Sequence, residues 1–346
     1  MIADKFYMLR ALELAKNGMG DVSPNPLVGC VIVHNDKIIG EGWHQKYGEA
    51  HAEVNAVNSV DDGSVLKNSV VYVSLEPCAH TGKTPPCVDL LVAHKVKRVV
   101  IANIDVNPLV AGRGISKLKD AGIEIITGVL EKEGDVLNKR FFTSLKKERP
   151  FIILKWAQTA DGFVAQQNFN SKWISNEYSR QLVHKWRAEE DAILVGFNTA
   201  AHDNPQLTVR HWTGRNPTRV VIDERLSLDS ALHLFDGSVP TICYNTLKDE
   251  SKSNLDYVRI KQEPIVEGIL YDLYKRGIQS VIIEGGAQTI KKFIDSDFWD
   301  EARVFISKQK FGTGIKAPSI DEEIIKTEWI GDDMLNIYSR ESKEGI

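Results

Sequence analysis

The first half of the chain contains three potential metal ligands, His51, Cys78 and Cys87, which must come together in the fold if they bind one ion. One neutral imidazole and two thiolates make a tetrahedral zinc site whose fourth position is open to water. Cys78 follows the apolar segment "VYVSLEP", which predicts a strand, and two prolines stand directly before Cys87. Both cysteines are expected near helix starts, where the helix dipole favours the thiolate form.

Glu53 follows His51 closely in the segment "HAEVNAV". A carboxylate at this spacing reaches a water on the metal without binding the metal itself. It can therefore take a proton from that water and pass it to a ring nitrogen and to leaving ammonia. The order H-x-E, then P-C, then a second cysteine is the signature of zinc-dependent deaminases. The pattern predicts one zinc ion held by His51, Cys78 and Cys87, with Glu53 as the catalytic residue.

Size and charge limit the remaining possibilities. The chain has 346 residues, which indicates two domains, and its net charge of -4 without a long basic run argues against a general nucleic-acid binder. No apolar run is long enough to span a bilayer, and the first residues do not form a signal peptide, so a cytoplasmic protein is expected. In that reducing compartment, Cys30 and Cys243 are interpreted as core residues because each lies in an apolar run.

Predicted strands and helices alternate along the whole chain, as in α/β proteins. "LVGCVIVHNDKIIGEGWH" predicts a hairpin with a turn near Asn35 and Asp36, and "SVVYVSL" and "RVVIAN" predict buried strands. The charged helical stretch that ends at Pro150 is interpreted as a connector, and a new apolar strand, "FIILKWA", follows it. We therefore predict a first domain over residues 1–147 and a second over residues 148–346.

Several segments of the first half resemble the cytidine-deaminase superfamily: "HAE", "PNPLVGCVIV" and "PCAHTGKTPPC". The long spacing between the cysteines and the block "DVNPLVAGRG" resemble the bifunctional riboflavin-biosynthesis deaminase/reductase family. The resemblance implies an α/β/α sandwich that deaminates a diaminopyrimidinone carrying a ribosylamino 5′-phosphate. It also implies Asn25 as a ring contact and His44 and Lys83 as ring or phosphate contacts, although each could equally be a turn-forming or solvated residue.

The second half resembles the reductase part of the same family in "LKWAQTADGFVA", "SKWIS", "VGFNTAAHDNPQLTVR" and "SVIIEGGAQTIKKF". The last segment alone is a weak signal, because two glycines after a strand often form only a turn, and it is not a Rossmann fingerprint. The resemblance implies a dihydrofolate-reductase-like α/β domain that reduces the ribosyl group to ribityl with NADPH. The cofactor contacts implied by the resemblance are Ala157, Trp173, Thr199, Asp203, Gly285, Gly286, Ala287, Gln288 and Thr289.

The same resemblance implies substrate contacts at Ser171, Arg187, Leu207, Arg210 and Glu284. Arg187 and Arg210 suit a phosphate clamp because guanidinium groups bind phosphate bidentately, although a solvated surface arginine is the alternative. Asp161 is either a turn residue or an active-site acid, and the turn is favoured because Asp-Gly is strong turn chemistry. Glu224 departs from the family pattern, which has a small hydroxyl residue near NADPH, and this puts one cofactor contact in doubt.

Two other functions fit parts of the sequence. A nucleic-acid-editing deaminase also carries the H-x-E and P-C motifs, but normally with a short spacing between its cysteines. Alternatively, one half could be degenerate and serve as a scaffold. The expected partner is a phosphorylated pyrimidine, with no nucleic acid and no membrane, and a homo-oligomer, either dimer or tetramer, is expected.

Overall fold

The computed structural model describes residues 2–80, 85–107, 111–168, 174–261 and 264–340. The chain divides into two compact units, Met1–Lys147 and Glu148–Ile346, and each is described by itself. Across these described ranges, no helix is both long enough and apolar enough to cross a membrane.

The first unit contains five strands and six α-helices in its described residues. In chain order the elements are α1 (Ile2–Ala15), β1 (Gly29–His34), β2 (Lys37–Trp43), α2 (Ala52–Asn58), β3 (Val70–Leu75), α3 (Cys87–Ala93), β4 (Arg98–Asn103), α4 (Arg113–Asp120), β5 (Glu124–Thr127), α5 (Glu131–Leu137) and α6 (Lys139–Lys147). Short 3₁₀ turns occupy Lys16–Gly18 and Gly63–Asn68.

The strands of the first unit form one sheet in the order β2-β1-β3-β4-β5. Strand β1 runs antiparallel to β2 and β3, whereas β3, β4 and β5 are parallel. The predicted hairpin is confirmed: His34 pairs with Lys37, and the two residues between them have positive φ angles of 48° and 60°. This is the backbone that two-residue hairpin turns favour, and Asn and Asp tolerate it.

Alternating residues of β1 separate the two faces of this sheet. Cys30 and Ile32 pack with α2, α3 and α4, while Val31 and Val33 pack with α1 and α5. The unit is therefore a three-layer α/β/α sandwich, and Cys30 is a core residue as expected. The stretch interpreted as a connector is instead packed into the first unit, because Phe141 and Phe142 of α6 are buried against Leu75 in a smaller apolar cluster.

The second unit is built on a larger sheet. In chain order its elements are β6 (Phe151–Gln158), β7 (Phe163–Ala165), α7 (Glu177–Glu189), β8 (Ala192–Gly196), α8 (Phe197–Asp203), β9 (Thr218–Ile222), β10 (Thr241–Asn245), β11 (Glu250–Lys252), β12 (Leu255–Arg259), α9 (Ile265–Lys275), β13 (Ser280–Glu284), α10 (Ala287–Asp295), β14 (Glu301–Ile306), β15 (Ile315–Lys316), β16 (Ile324–Ile330) and β17 (Asp333–Ser339). A 3₁₀ turn occupies His233–Phe235.

The sheet of the second unit has the strand order β11-β12-β10-β9-β8-β13-β6-β14-β17-β16. The strands from β12 to β14 in this order are parallel, and the outer strands β11, β17 and β16 are antiparallel to their neighbours. Helices α9 and α10 cover one face, while α7 and α8 cover the other, where Cys243 is buried as expected. The carboxyl ends of β6, β13, β8 and β9 therefore lie side by side, which is where open α/β sheets bind ligands.

Candidate functional site

The three predicted zinc ligands come together in the first unit. The Nδ1 atom of His51 lies 3.6 Å from the Sγ atom of Cys78 and 3.3 Å from the Sγ atom of Cys87. The three ligand atoms all lie within 4.8 Å of one another. Ordinary Zn–N and Zn–S bond lengths in a tetrahedral site give an N to S separation of roughly 3.6 Å. The cluster therefore fits a zinc ion, with His51 offering Nδ1.

The fold fixes two of the ligands at helix starts. His51 is the residue directly before α2, and Cys87 is the first residue of α3. Helix α2 approaches β2 so closely that a Cβ atom at Gly42 would lie 2.4 Å from the backbone nitrogen of Ala56. Only glycine allows this approach, so Gly42 helps to set the position of His51.

Cys78 lies in irregular backbone after β3, not at the start of a helix of its own. Its sulfur nevertheless receives the backbone N–H of Cys87 at 3.3 Å, so the start of α3 serves both thiols. A hydrogen bond from the Cys87 side chain lowers the pKa of Cys78, whereas the same contact and burial raise the pKa of Cys87. A divalent metal at this point favours the thiolate form of both residues.

Glu53 lies on the first turn of α2, beside the cluster but outside the ligand set. Its side chain is buried, and burial, together with the nearby Cys78 sulfur, raises the pKa of the carboxyl group. A buried carboxyl with a raised pKa holds and releases a proton more readily near neutral pH than an exposed one.

His44 and Asn25 belong to the same site. The ring of His44 packs edge-on against the ring of His51, with 5.3 Å between centroids. The Nδ1 atom of His44 lies 3.0 Å from the carbonyl of Ala50, which only accepts, so Nδ1 carries the hydrogen and Nε2 accepts the Asn25 amide at 3.0 Å. Burial lowers the pKa of His44, which agrees with a neutral ring. Lys83, the third predicted contact, is outside the described residues.

The sequence does not single out Glu76, although it organises the backbone next to Cys78. Its buried carboxylate accepts the backbone N–H groups of Asp105, Gly112, Gly114 and Ile115 at 3.0 to 3.3 Å. These contacts tie the segment after β4 and the start of α4 to the residue that precedes Pro77 and Cys78. In the sequence, a glutamate close to a zinc ligand is only a weak signal of this role, because the four backbone N–H donors come together only when the chain folds.

Replacing Glu76 by alanine is expected to lower the free energy of unfolding by about 2–4 kcal/mol, because buried N–H groups lose their acceptor. Zinc should also pass to a chelator faster, since Cys78 loses its support. Glu76→Gln, which keeps one acceptor oxygen, should fall between the alanine variant and the native chain. Denaturant unfolding and zinc release to a coloured chelator measure the two effects, and an alanine variant as stable as the native chain would refute this role.

A cleft of about 750 Å³ opens at the carboxyl ends of the parallel strands in the second unit. The predicted cofactor and substrate residues of the second unit that the structure describes all line it. They are Ala157, Arg187, Thr199, Asp203, Leu207, Arg210, Glu284, Gly285, Gly286, Ala287, Gln288 and Thr289. Ser171 and Trp173 lie outside the described residues. The structure therefore brings together residues that the sequence separates widely, but their individual roles remain predictions.

The segment between β13 and α10 suits a phosphate group. Gly285 has a φ of +127°, and a Cβ atom there would lie 2.7 Å from the Thr199 side chain. Gly286, the residue before α10, has a φ of +39° and offers no side chain to cap this helix start. Uncapped N–H groups and the helix dipole favour an anion at this point, and the glycines allow close approach. The residues present thus fit the diphosphate of a dinucleotide.

Lys155, Glu284 and Arg187 form a polar floor in the cleft. The Nζ atom of Lys155 lies 2.7 Å from Oε1 of Glu284, and Arg187 binds Oε2 of the same carboxylate through Nη2 at 2.7 Å. Burial raises the pKa of Glu284, but Arg187 and Lys155 more than offset this and lower the pKa to about 2. Glu284 therefore stays ionised at neutral pH. Lys155 was missed in the sequence, where it is one lysine in an apolar strand.

Arg187 and Arg210 differ from the simple phosphate clamp expected from the sequence. Arg187 already donates Nε and Nη2 hydrogen bonds to Glu284, while Arg210 makes no ion pair within the described part of the chain. Burial and the nearby Arg187 lower the pKa of Arg210. Two guanidinium groups this close favour an anion between them, with Arg210 as the cation free to bind it.

His184 holds the backbone of Arg210 in place through a hydrogen bond. Its Nδ1 atom accepts the backbone N–H of Arg210 at 3.1 Å, which requires that Nδ1 carry no proton. Burial, followed by the charges of Arg187 and Arg210, lowers the pKa of His184 to about 4. The ring is therefore neutral in the folded protein throughout the neutral range.

This histidine predicts how the stability of the protein depends on pH. Because the pKa of His184 is about 4 in the folded state and near 6.5 when exposed, the unfolded chain binds the proton first. The stabilising contribution is complete above pH 6.5 and is lost as the pH falls toward 4. His184→Asn keeps an acceptor that does not titrate, so its melting temperature should fall less over this range. Equal slopes of melting temperature against pH for the two proteins would contradict the assignment.

Asp161 and Glu224 occupy different surroundings. The Asp161 carboxylate accepts the hydroxyl of Thr159 and the backbone N–H groups of Phe311 and Gly312, which agrees with the predicted turn role. Glu224 lies at the rim of the cleft, where its carboxylate pairs with Lys292 at 3.3 Å. The departure from the family pattern thus sits in the cleft wall and does not point away from it.

Comparison with protein families places both units. The model described as the cytidine and deoxycytidylate deaminase zinc-binding region matches residues 1–103. The model described as the RibD C-terminal domain matches residues 150–337, more than half of the chain. The predicted two-domain α/β fold class, cytidine-deaminase-like and then dihydrofolate-reductase-like, is thereby confirmed.

Curated relatives and solved structures extend the match over nearly the full length. The riboflavin biosynthesis protein RibD of Aquifex aeolicus (strain VF5) is 41% identical over 97% of this chain and 98% of its own length. RibD of Escherichia coli (strain K12) is 36% identical over 90% of this chain and 89% of its own.

A crystal structure of a diaminohydroxyphosphoribosylaminopyrimidine deaminase/5-amino-6-(5-phosphoribosylamino)uracil reductase from Thermotoga maritima superposes with a TM-score of 0.89. The two sequences are 37% identical, and the match covers 97% of this chain and 98% of the Thermotoga maritima chain. Acinetobacter baumannii RibD has the same TM-score at 33% identity and the same coverage. With the His/Cys/Cys cluster in the first unit and the cleft in the second, these matches show that the chain belongs to the RibD family of bifunctional riboflavin-biosynthesis enzymes, with a zinc-binding deaminase domain and a reductase domain.

Proposed function

We propose that the first unit removes the 2-amino group of a diaminopyrimidinone that carries a ribosylamino 5′-phosphate. The observation that carries this proposal is the cluster of His51, Cys78 and Cys87 with the buried Glu53 beside it. The substrate is the one in the name of the Thermotoga maritima relative. In the net reaction water adds its oxygen to the ring carbon, the carbon–nitrogen bond breaks, and ammonia leaves.

Each residue of the site has one task in this reaction. Zinc, when bound, supplies a Lewis acid that lowers the pKa of a water molecule at its open coordination position. Glu53 takes the proton from the attacking water and transfers it to the pyrimidine ring and then to the departing amine. His44, which is neutral and oriented by the carbonyl of Ala50, holds the Asn25 amide beside the site. The Asn25 amide contacts the pyrimidine ring of the substrate. Lys83 keeps its expected role as a ring or phosphate contact.

We propose that the second unit reduces the ribosyl group of the deaminated product to ribityl. NADPH, when bound, supplies the hydride that C1′ of the ribosyl group accepts. The uncapped start of α10, with Gly285 and Gly286, holds the cofactor diphosphate, while Ala157, Thr199 and Asp203 contact the cofactor along the cleft. Trp173 retains its expected cofactor contact.

Lys155 is the group that we assign to proton transfer in the reduction. When C1′ gains a hydride, its bond to the ring oxygen breaks, and that oxygen needs a proton. Glu284 does not provide it, because its pKa of about 2 keeps it ionised, so it orients Lys155 instead. Arg210 binds the substrate phosphate beside Arg187, and Leu207 and Ser171 complete the expected substrate contacts.

We further infer a cytoplasmic homo-oligomer, dimer or tetramer, that acts on a small molecule and not on nucleic acid. A reducing cytoplasm keeps two thiolates available to zinc. The net charge of -4 lacks the basic footprint of a nucleic-acid binder. Strand β16 is at the edge of its sheet and exposes Ile324, Ile325 and Trp329, which supports self-association.

A coupled assay tests both activities in order. The zinc-loaded protein, given the diaminopyrimidinone and NADPH, should release one ammonia for each NADPH oxidised. Without NADPH, ammonia should still appear while no ribityl product forms. Ammonia release from RNA alone would favour an editing deaminase, and ammonia release without any NADPH oxidation would favour a degenerate second unit.

A further inference from the structure

The segment after strand β9 and helix α10 together place a carboxylate and an ammonium at the rim of the reductase cleft. Glu224 Oε1 and Lys292 Nζ lie 3.3 Å apart, and both residues line the cleft. Thr246 fixes the backbone of Glu224, since its N–H and its hydroxyl both donate to the Glu224 carbonyl. The side chains of the pair are about half exposed, at 47% and 53%, so an incoming anion can open the pair at small cost.

The neighbouring acid is not available in the same way. Asp223 is buried, and its two carboxylate oxygens accept the backbone N–H groups of Ser227 and Leu228 at 3.0 and 2.9 Å. Arg225, the next residue along the chain, is exposed and forms no ion pair among the residues that the structure describes. The rim therefore offers one carboxylate that can move, Glu224, and two cations, Lys292 and Arg225.

The position of the pair within the cleft relates it to one part of a dinucleotide. This step rests on the proposed reductase function. The reacting end would lie at Glu284 and Lys155 on β13 and β6, and the diphosphate would lie at the start of α10, the helix that also carries Lys292. Strand β9 is two strands beyond β13 across the sheet, a distance of roughly 10 Å. The adenosine ribose of a dinucleotide held in this way would therefore lie at the rim next to the end of β9.

We propose that Glu224 and Lys292 determine how strongly the reductase discriminates between NADPH and NADH. The 2′-phosphate of NADPH binds Lys292 and Arg225, and it must displace Glu224 from Lys292 to do so. The 2′-hydroxyl of NADH instead donates a hydrogen bond to the Glu224 carboxylate, the recognition that acidic residues provide in other dinucleotide sites. Glu224 thus lowers the affinity for NADPH relative to NADH, whereas Lys292 raises it.

Binding of NADP⁺ and NAD⁺, measured by calorimetry on the zinc-loaded protein, tests the proposal without turnover. Glu224→Gln removes the charge and keeps the shape, and Glu224→Ser also shortens the side chain. In both variants the ratio of the NAD⁺ to the NADP⁺ dissociation constant should rise by about fivefold or more, because a like charge is removed beside the phosphate at a screened rim. Lys292→Met should lower that ratio by weakening NADP⁺ more than NAD⁺.

Asp295→Asn provides the matched control, because it removes a carboxylate paired with Lys291 on the same helix but outside the cleft lining. It should leave the ratio unchanged. Two results would contradict this inference while leaving the proposed reductase function intact. One is an unchanged ratio in Glu224→Gln, and the other is an equal loss of affinity for both dinucleotides in Lys292→Met. If the native chain binds neither dinucleotide, the proposed reductase function fails and this inference fails with it.

Discussion

Glu53→Gln is expected to lower the rate of ammonia release by about 10²–10⁴, the usual contribution of a general acid–base residue, while one zinc ion per chain remains bound. Glutamine fills the same buried space next to the cluster, but it cannot accept the proton of water or return it to the leaving amine. The three ligand atoms belong to other residues, so metal binding has no reason to change. Metal analysis and steady-state ammonia release measure the two quantities on one preparation.

Cys78→Ser provides the contrasting case for this prediction. It removes a ligand, so zinc content should fall together with deamination, whereas Glu53→Gln separates the two. Since the second unit has its own core and cleft, both variants should still oxidise NADPH when the deaminated intermediate is supplied. Turnover of Glu53→Gln within tenfold of the native rate would remove Glu53 from the proton-transfer role.

Lys155→Met is expected to have the largest effect on the reductase. The turnover number for NADPH oxidation with the deaminated intermediate should fall by about 10²–10⁴, because methionine cannot donate a proton to the ring oxygen. The dissociation constant of NADP⁺ should change little, since the predicted diphosphate site is at the start of α10 and does not involve Lys155. Glu284 keeps Arg187 as its partner in this variant, so the buried carboxylate remains paired.

Lys155→Arg separates proton donation from simple pairing. Arginine preserves a cation beside Glu284, and the melting temperature should therefore be closer to the native value than in Lys155→Met. Its guanidinium does not release a proton in the neutral range, so the turnover number should remain low. Turnover restored by arginine would show that Lys155 acts only by holding Glu284 in place.

The zinc site was largely predictable because histidine and cysteine side chains are themselves typical zinc ligands. His51, Cys78 and Cys87 have few other reasons to occur in this order after an apolar strand. The spacing did not reveal that the backbone N–H of Cys87 donates to Cys78, nor that His44 packs against His51. Such contacts depend on how α2 and α3 meet the sheet, and that follows from packing between distant segments.

The supporting residues were harder to predict, for the same physical reason. Glu76 gains its importance from four N–H groups that follow β4, and Lys155 gains its importance from Glu284 on a neighbouring strand. Neither residue has a local pattern that differs from an ordinary glutamate or lysine. The cleft residues of the second unit were predicted only through resemblance, because two glycines after a strand do not by themselves identify a dinucleotide site.

Strand β6 was predictable from its continuous apolar run, which is what a strand buried on both faces shows. Strands β11 and β16 were not predicted, since exposed residues weaken the alternation that marks a strand. The helical stretch before Pro150 was misread as a connector because its charges are obvious, whereas Phe141 and Phe142 are buried. A charged helix with one apolar stripe belongs to a core more often than to a linker.

The most direct test of two linked activities is a single reaction of the Glu53→Gln variant. Given the diaminopyrimidinone and NADPH, the variant should release almost no ammonia and should leave NADPH unoxidised. When the deaminated intermediate is added to the same cuvette, NADPH oxidation should begin at the native rate. Oxidation of NADPH before that addition would contradict the proposed order of the reactions, and no oxidation after it would contradict the reductase assignment of the second unit.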